Sequence, residues 1–110
     1  MICNPWDIVI VPFPFSDRPQ TKRRPALVLT DAHFNAAGHT TLAMITTKDH
    51  RPWPGDQPIA NPKACGLPVP CLVRLKLFTI DNRLLERKLG ALAAAERKSL
   101  KGRIAEFFAP

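Results

Sequence analysis

The chain has 110 residues, enough for one domain of ordinary size and too few for a second catalytic domain, so we expect a single domain over residues 1–110. Its 16 Lys and Arg exceed its 9 Asp and Glu and give a formal charge of +7, which favours polyanionic partners such as nucleic acid or an acidic protein. A basic surface without a function is the alternative.

Short apolar runs separated by prolines predict strands in the first half of the chain. Residues 8–11 (IVIV) have no polar face, which predicts a strand buried on both sides. The prolines that follow break this run, and we expect residues 16–22 to form an exposed loop. Residues 25–29 (PALVL) and 41–45 (TLAMI) predict the second and third strands, joined by turn residues and a short helical turn.

The second half predicts further strands and one helix. Prolines and glycines between residues 48 and 70 leave room for a short strand near 58–60, whereas 71–80 predict a long strand with a basic edge or face. Residues 86–92 follow as a last strand. Apolar side chains on one helical face predict a helix over 93–108, anchored by its last two turns. The sum is an α+β, mainly β, fold: a small curled antiparallel sheet or barrel capped by the helix.

The cysteines and the N-terminus favour a reduced, intracellular protein. Cys3, Cys65 and Cys71 are odd in number and form no C-x-x-C pair, so neither a disulfide framework nor a zinc site is indicated. The start MICNPWDIVIV lacks the basic and apolar regions of a signal peptide, and the sequence has no apolar run long enough to span a membrane. We expect a soluble, cytoplasmic protein without membrane contact.

Basic and hydroxyl side chains cluster at predicted strand ends. Arg24 precedes the second strand, and Thr46 and Thr47 end the third. Four more cations are expected around them: Lys22, Arg23, Arg74 and Lys76. The guanidinium fork matches two phosphate oxygens, so converging strand ends would hold a phosphodiester and stabilise charge that develops on it. The alternatives are a solvated basic rim and a threonine that merely ends a strand.

The roles of the aromatic residues are not decided by the sequence, and the histidines do not indicate a metal site. Four aromatic side chains either pack in the core or stack on unpaired bases: Trp6, Phe13, Phe15 and Trp53. The three histidines are scattered and have no carboxylate at ligand spacing, which indicates no metal site.

Five blocks in chain order carry a family resemblance: PWDIVIVPFPFSD, KRRPALVL, AMITT, VRLKLFTID and KLGAL. They resemble successive blocks of the MazF/PemK family of toxin endoribonucleases from bacterial toxin–antitoxin pairs. The most specific part is the arginine–proline before an aliphatic strand, coupled to a threonine that ends the next strand. One departure is Trp6, where many members carry glycine. The resemblance implies a CcdB/MazF-like, SH3-like barrel with a C-terminal helix, in a homodimer.

The resemblance also implies an activity. It is the metal-independent and sequence-selective cleavage of single-stranded RNA, including mRNA, which inhibits translation and growth. The ribose 2′-hydroxyl is the nucleophile, and the products carry 2′,3′-cyclic phosphate and 5′-hydroxyl ends. Arg24 and Thr46 correspond to the catalytic pair, and no cofactor is required. The RNA-binding residues that we expect are Asp17, Arg18, Lys22, Arg23, Thr47, Arg74 and Lys76.

Partners follow from the same resemblance. A cognate antitoxin with an acidic inhibitory end suits a chain of charge +7. DNA would be bound only indirectly, through the toxin–antitoxin complex. The alternative of another class is a non-catalytic SH3-like module that binds RNA or protein. A gyrase poison related to CcdB is disfavoured, because those proteins act through a tryptophan-bearing C-terminus and this chain ends EFFAP.

Overall fold

The computed structural model describes residues 1–13, 22–47 and 51–108, and within these ranges six strands form one curled antiparallel sheet. The strands are β1 (Asp7–Phe13), β2 (Lys22–Val28), β3 (His39–Thr47), β4 (Gln57–Pro58), β5 (Cys71–Asp81) and β6 (Arg87–Ala91). Their order across the sheet is β4-β5-β3-β2-β1-β6. The helices are α1 (Ala32–Asn35) and α2 (Ala94–Phe108), and 3-10 turns lie at Lys63–Cys65 and Asn82–Leu84. The predicted mainly β fold with a C-terminal helix is confirmed.

The centre of the sheet is buried on both faces. Ile8 and Leu27 belong to an apolar cluster that also contains Leu100 of α2, and we call this side the helix face. Val9 and Val28 belong to a second cluster on the opposite side, the front face. Neighbouring residues of a strand point to opposite faces, so burial of both faces produces the continuous apolar runs seen in β1 and β2.

The first three strands extend further than the sequence predicted, β3 by two residues at each end. β1 continues through Pro12, which lies opposite Arg23 of β2. On its other side, β1 pairs with β6 from Asp7 to Ile10. Pro12 lies beyond that pairing, where its missing N–H does not interrupt the ladder with β6. Lys22, expected at the end of a loop, is instead the first residue of β2. The rest of that predicted loop lies outside the described residues.

Trp6 enters β1 in a left-handed conformation, with a φ of 73°. That region favours glycine, and a non-glycine residue there costs of the order of 1–3 kcal/mol. Two backbone hydrogen bonds hold the turn: the Trp6 N–H donates to Val28 O at 2.7 Å, and the Trp6 carbonyl accepts from Leu92 N at 2.9 Å. The indole packs, partly buried, against the helix-face cluster. The tryptophan at this position, noted above as a departure from the resemblance, is thus accommodated in a turn held by two backbone hydrogen bonds.

The prediction that α2 is anchored by its last two turns is only partly right: Ile104 packs against the helix-face cluster there, but the buried residues Glu96 and Leu100 lie nearer the start of the helix. Leu100 is fully buried, whereas Phe107 and Phe108 are each 48% exposed. Glu96 is buried as well, and its carboxylate accepts a 2.6 Å hydrogen bond from the Ala60 N–H that offsets the cost of its burial. A pattern of apolar residues does not reveal this polar anchor. Within the described ranges, neither helix is long and apolar enough to cross a membrane.

Gly90 of β6 tests how closely this sheet edge is packed. A Cβ at position 90 would lie 2.3 Å from the carbonyl oxygen of Cys65, a backbone atom that has little room to move. We expect Gly90→Ala to lower the free energy of unfolding by about 1–3 kcal/mol. The control is Gly102→Ala, a helical position with nothing within 4 Å of the new Cβ. There we expect a gain of about 0.5–1 kcal/mol. Urea unfolding measures both, and equal effects would contradict the close approach.

Candidate active site

Arg24 and Thr46 are brought together by the pairing of β2 with β3. Ala26 lies opposite Met44 in that ladder. The ladder ends at this pair, and the same register continued by two residues would place Arg24 opposite Thr46. Residues opposite each other in an antiparallel pair share a face. Strand alternation from Val28 places this pair on the front face, beyond the second apolar cluster.

Both side chains line one pocket of about 140 Å³, which we call the Arg24/Thr46 pocket. It lies where β2 begins, β3 ends and the chain enters β5. Thr47 adds a second hydroxyl to its lining. The rest of the wall is largely apolar and consists of Pro25, Ile45, Leu67, Pro68, Val69 and Cys71. A cavity with a few converging polar groups in an apolar wall is the usual form of a ligand site.

The Arg24 guanidinium has unused capacity for hydrogen bonding. Its Nε atom is buried, and in the described part of the chain no acceptor lies within hydrogen-bonding distance of it. The guanidinium carbon lies 5.5 Å from the centroid of the Phe13 ring, so the charge rests against an aromatic face. A buried donor without a partner costs free energy that an incoming acceptor would recover. The pocket therefore holds a cation ready for an anionic oxygen.

Two of the predicted cations lie in the same strand as Arg24. Lys22 is exposed and lies two residues away on the same face. Arg23 points to the opposite face, where its Nε lies 2.8 Å from the carboxylate of Glu86. The structure therefore brings Lys22 toward the pocket side and directs Arg23 away from it.

Arg74 and Lys76 do not line the pocket. Arg74 is buried, and its Nε and Nη2 donate to Asp56 at 3.1 and 2.9 Å. Burial alone would raise the pKa of the Asp56 carboxyl, but hydrogen bonds from Arg74 and from the Trp53 N–H outweigh it and hold that pKa below its ordinary value. Lys76 is exposed, and its Nζ lies 4.3 Å from the centroid of the Trp53 ring. Arg74 thus has a structural partner, whereas Lys76 sits beside an aromatic surface.

Asp17 and Arg18 lie outside the described residues, so their expected contacts with RNA remain predictions. Across residues 1–13, 22–47 and 51–108, no three His, Cys, Asp or Glu side chains come close enough together to hold a metal ion.

Sequence reasoning missed the apolar wall of the pocket. Its residues Leu67, Pro68 and Val69 come from a proline-rich stretch that was interpreted only as a break between strands. The sequence PVPC could have indicated this wall, since the prolines on both sides of Val69 restrict the backbone and hold that apolar side chain in place. Cys71 ends the wall, and its Sγ donates to the Val69 carbonyl at 3.1 Å. Burial raises the pKa of the Cys71 thiol, so it remains protonated and a poor nucleophile.

Comparisons with known proteins place this geometry in a family. The family model described as PemK-like, MazF-like toxin of type II toxin–antitoxin system matches residues 4–108. The solved structure of the Mycobacterium tuberculosis toxin MazF-mt6 is 28% identical, with a TM-score of 0.75 over 93% of this chain and 95% of that chain. Comparison with the curated proteins found no match.

Two more distant structures share the fold. MazF from Deinococcus radiodurans is 21% identical, with a TM-score of 0.76 over 100% of this chain and 99% of that chain. An endoribonuclease in complex with its cognate antitoxin, from a mycobacterial species, is 14% identical, with a TM-score of 0.77 over 98% and 97%. Because the family model spans nearly the whole sequence, this chain belongs to the PemK-like, MazF-like family and is a toxin of a type II toxin–antitoxin system, a family known as endoribonucleases.

Proposed function

We propose that this toxin cleaves single-stranded RNA, including mRNA, at the Arg24/Thr46 pocket, without a metal ion and with sequence selectivity. The products would carry 2′,3′-cyclic phosphate and 5′-hydroxyl ends, and the cuts would stop translation and growth. The observation that carries the proposal is the buried Arg24 Nε, which has no acceptor among residues 1–13, 22–47 and 51–108, in a pocket that Thr46 also lines. Membership of a family known as endoribonucleases supports the same reaction class.

Arg24 binds the scissile phosphate in this mechanism. Its planar fork donates to the non-bridging oxygens, and its charge stays fixed near neutral pH. Negative charge grows on those oxygens as the ribose 2′-oxygen attacks phosphorus, so the guanidinium binds the transition state more strongly than the ground state. Since Nε has no acceptor in the part of the chain that the structure describes, binding of the phosphate breaks no hydrogen bond seen there.

Bonds and protons balance in a single displacement. The bond from the 2′-oxygen to phosphorus forms, and the bond from phosphorus to the 5′-oxygen breaks. Water takes the 2′-hydroxyl proton, and water donates a proton to the departing 5′-oxygen, which leaves the 5′-hydroxyl end. Arg24 acts through its charge and its donors, because a guanidinium scarcely deprotonates and is a poor general base.

Thr46 donates a hydrogen bond to the same phosphate. We expect Thr46→Val, which keeps the β-branched shape, to lower kcat roughly 10- to 100-fold, the effect of losing one hydrogen bond to a charged group. Thr79→Val is the matched control, because Thr79 is an exposed strand residue that pairs with Thr41 at 2.7 Å. Single-turnover cleavage of RNA measures both variants. A Thr46→Val protein as fast as the wild type would remove Thr46 from the mechanism.

The experiment that tests the function uses a long single-stranded RNA in excess EDTA, with the product ends mapped. Discrete cuts that carry cyclic phosphates, and that disappear in Arg24→Ala, would support the nuclease. The alternative, a non-catalytic SH3-like module that binds RNA or protein, has a different signature: RNA of diverse sequence stays intact while binding persists in both proteins. That result would overturn the proposal.

The partners form part of the same proposal. A complex of a structurally similar endoribonuclease with its cognate antitoxin supports a cognate antitoxin for this chain. We expect the antitoxin to present acidic residues to the net charge of +7. The toxin would act in the cytoplasm as a homodimer of one-domain chains, residues 1–110, and contact DNA only through the toxin–antitoxin complex.

A further inference from the structure

Trp53 is an exposed aromatic side chain on a firmly held segment. It is 41% exposed. The backbone N–H of Trp53 donates to the Asp56 carboxylate at 2.9 Å, and the backbone carbonyl of Trp53 accepts from the Asp56 N–H at 3.1 Å. An indole that packed as core would be buried. The Trp53 indole is instead held at the surface by a turn that these two hydrogen bonds close.

A buried ion pair fixes that turn from both sides. The Arg74 guanidinium holds both oxygens of Asp56, which follows Trp53. It also donates to the carbonyl of Arg51, which precedes Trp53, at 2.8 Å. Desolvating an arginine and a carboxylate gains little net stability compared with apolar packing. What this pair does provide is a fixed position for the backbone that carries the indole.

The turn lies at the β4–β5 edge of the sheet, where Asp56 meets Arg74 of β5 and its carbonyl accepts from Arg103 of α2 at 2.6 Å. Thr46 lies opposite Leu72, and Met44 lies opposite Arg74. Alternation along β5 therefore places Arg74 on the front face with Thr46, and Asp56 meets it there. Lys76 lies in the irregular part of β5, between Arg74, which is opposite Met44, and Leu77, which is opposite Ala43. Along β3 these two positions are two and three residues from Thr46, roughly 7–10 Å at about 3.3 Å per residue.

The chemistry of the pair suits an unpaired base. The Lys76 ammonium lies 4.3 Å from the centroid of the Trp53 ring, so a cation stands beside the aromatic surface. Single-stranded nucleic acid is bound by this combination: bases stack on aromatic rings, and nearby cations attract the backbone. The net charge of +7 favours that polyanion over neutral ligands.

We propose that Trp53 and Lys76 form a stacking platform for an unpaired base of the RNA close to the scissile phosphate. The proposal rests on the proposed function, because it assumes that the bound strand is the substrate. Trp53 is then a residue that determines affinity, and the buried pair of Asp56 and Arg74 is its support.

Fluorescence tests the stacking without any cleavage. The sequence has two tryptophans, so Trp6→Phe leaves Trp53 as the sole indole. Mixed-sequence single-stranded DNA is the probe, because it lacks the 2′-hydroxyl and cannot be cut by the proposed route. We expect saturable quenching that Lys76→Gln weakens. Unchanged emission at DNA concentrations that shift the protein in a gel would overturn the proposal, and so would quenching by an acidic peptide but not by DNA.

Kinetics provide a second test in the native tryptophan background, which holds even if Trp6→Phe does not fold. We expect Trp53→Ala to raise KM roughly 5- to 150-fold, the loss of one stacked base, with kcat and the melting temperature unchanged. Trp53→Phe should restore most of the affinity. An unchanged KM for Trp53→Ala would overturn the platform. If the wild type cuts no RNA, the proposed function fails, and the fluorescence titration still decides the stacking.

Discussion

Arg24→Met is expected to abolish RNA cleavage while leaving the protein at least as stable as the wild type. Arg24 provides both the charge and the forked donors that face the phosphate, so its loss should lower kcat about 10³-fold or more. Arg83→Met is the matched control. It removes the same charge from an exposed side chain next to Asp81, at the opposite end of β5 from the pocket residue Cys71. We expect it to cleave at the rate of the wild type.

The stability of Arg24→Met separates a catalytic from a structural role. A buried donor without a partner costs about 1–3 kcal/mol, and methionine removes that cost. The lost contact with the Phe13 ring offsets about 0.5–1 kcal/mol of the gain. The net change in the free energy of unfolding is therefore expected between zero and about 2 kcal/mol in favour of the variant. Urea unfolding of the same preparation measures it. A strongly destabilised variant would show that Arg24 supports the fold.

Asp56→Ala is expected to lower the free energy of unfolding by about 3–5 kcal/mol, because it leaves the guanidinium of Arg74 buried and unpaired. The Arg74 side chain is 9% exposed and that of Asp56 is 15% exposed. The exposed pair of Asp81 and Arg83 provides the contrast, and Asp81→Ala should cost much less. Replacing Arg74 with leucine in the Asp56→Ala background should recover part of the loss. A loss no larger than that of Asp81→Ala would contradict the buried pair.

The same pair gives stability a pH dependence. Burial raises the pKa of Asp56, and the hydrogen bonds from Arg74 and Trp53 reverse this, so the net pKa is lowered. A carboxyl with a lowered pKa stabilises the fold fully above its unfolded value, and this contribution is lost as the pH falls through the folded value. The difference between wild type and Asp56→Ala should therefore be largest near neutral pH and should narrow below 3.8. Urea unfolding across that range would show it, and a constant difference would argue against the ion pair.

The sequence predicted best what local patterns determine. Burial on both faces left the runs at residues 8–11 and 25–29 without polar positions, so their strands were evident. The pairing of Arg24 with Thr46 needed only the register of two neighbouring strands. The partner of Arg74 was not predictable, because Asp56 lies 18 residues earlier in a segment without periodicity. A register shift between Ala43 and Met44 likewise leaves Leu75 and Lys76 of β5 without a partner in β3, which no single-strand pattern reveals.

The two ends of the sheet affect how this protein behaves at high concentration. An open strand edge can recruit other chains into intermolecular β-structure. Here one end is β4, two residues long and closed by Pro58, which has no N–H to offer. The other end is β6, which carries exposed cations at Arg87 and Lys88. Its pairing with β1 has a register shift between Ile8 and Val9. Edge strands that are short, charged or ended by proline oppose edge-to-edge β pairing between molecules. We therefore expect the toxin without its antitoxin to resist aggregation.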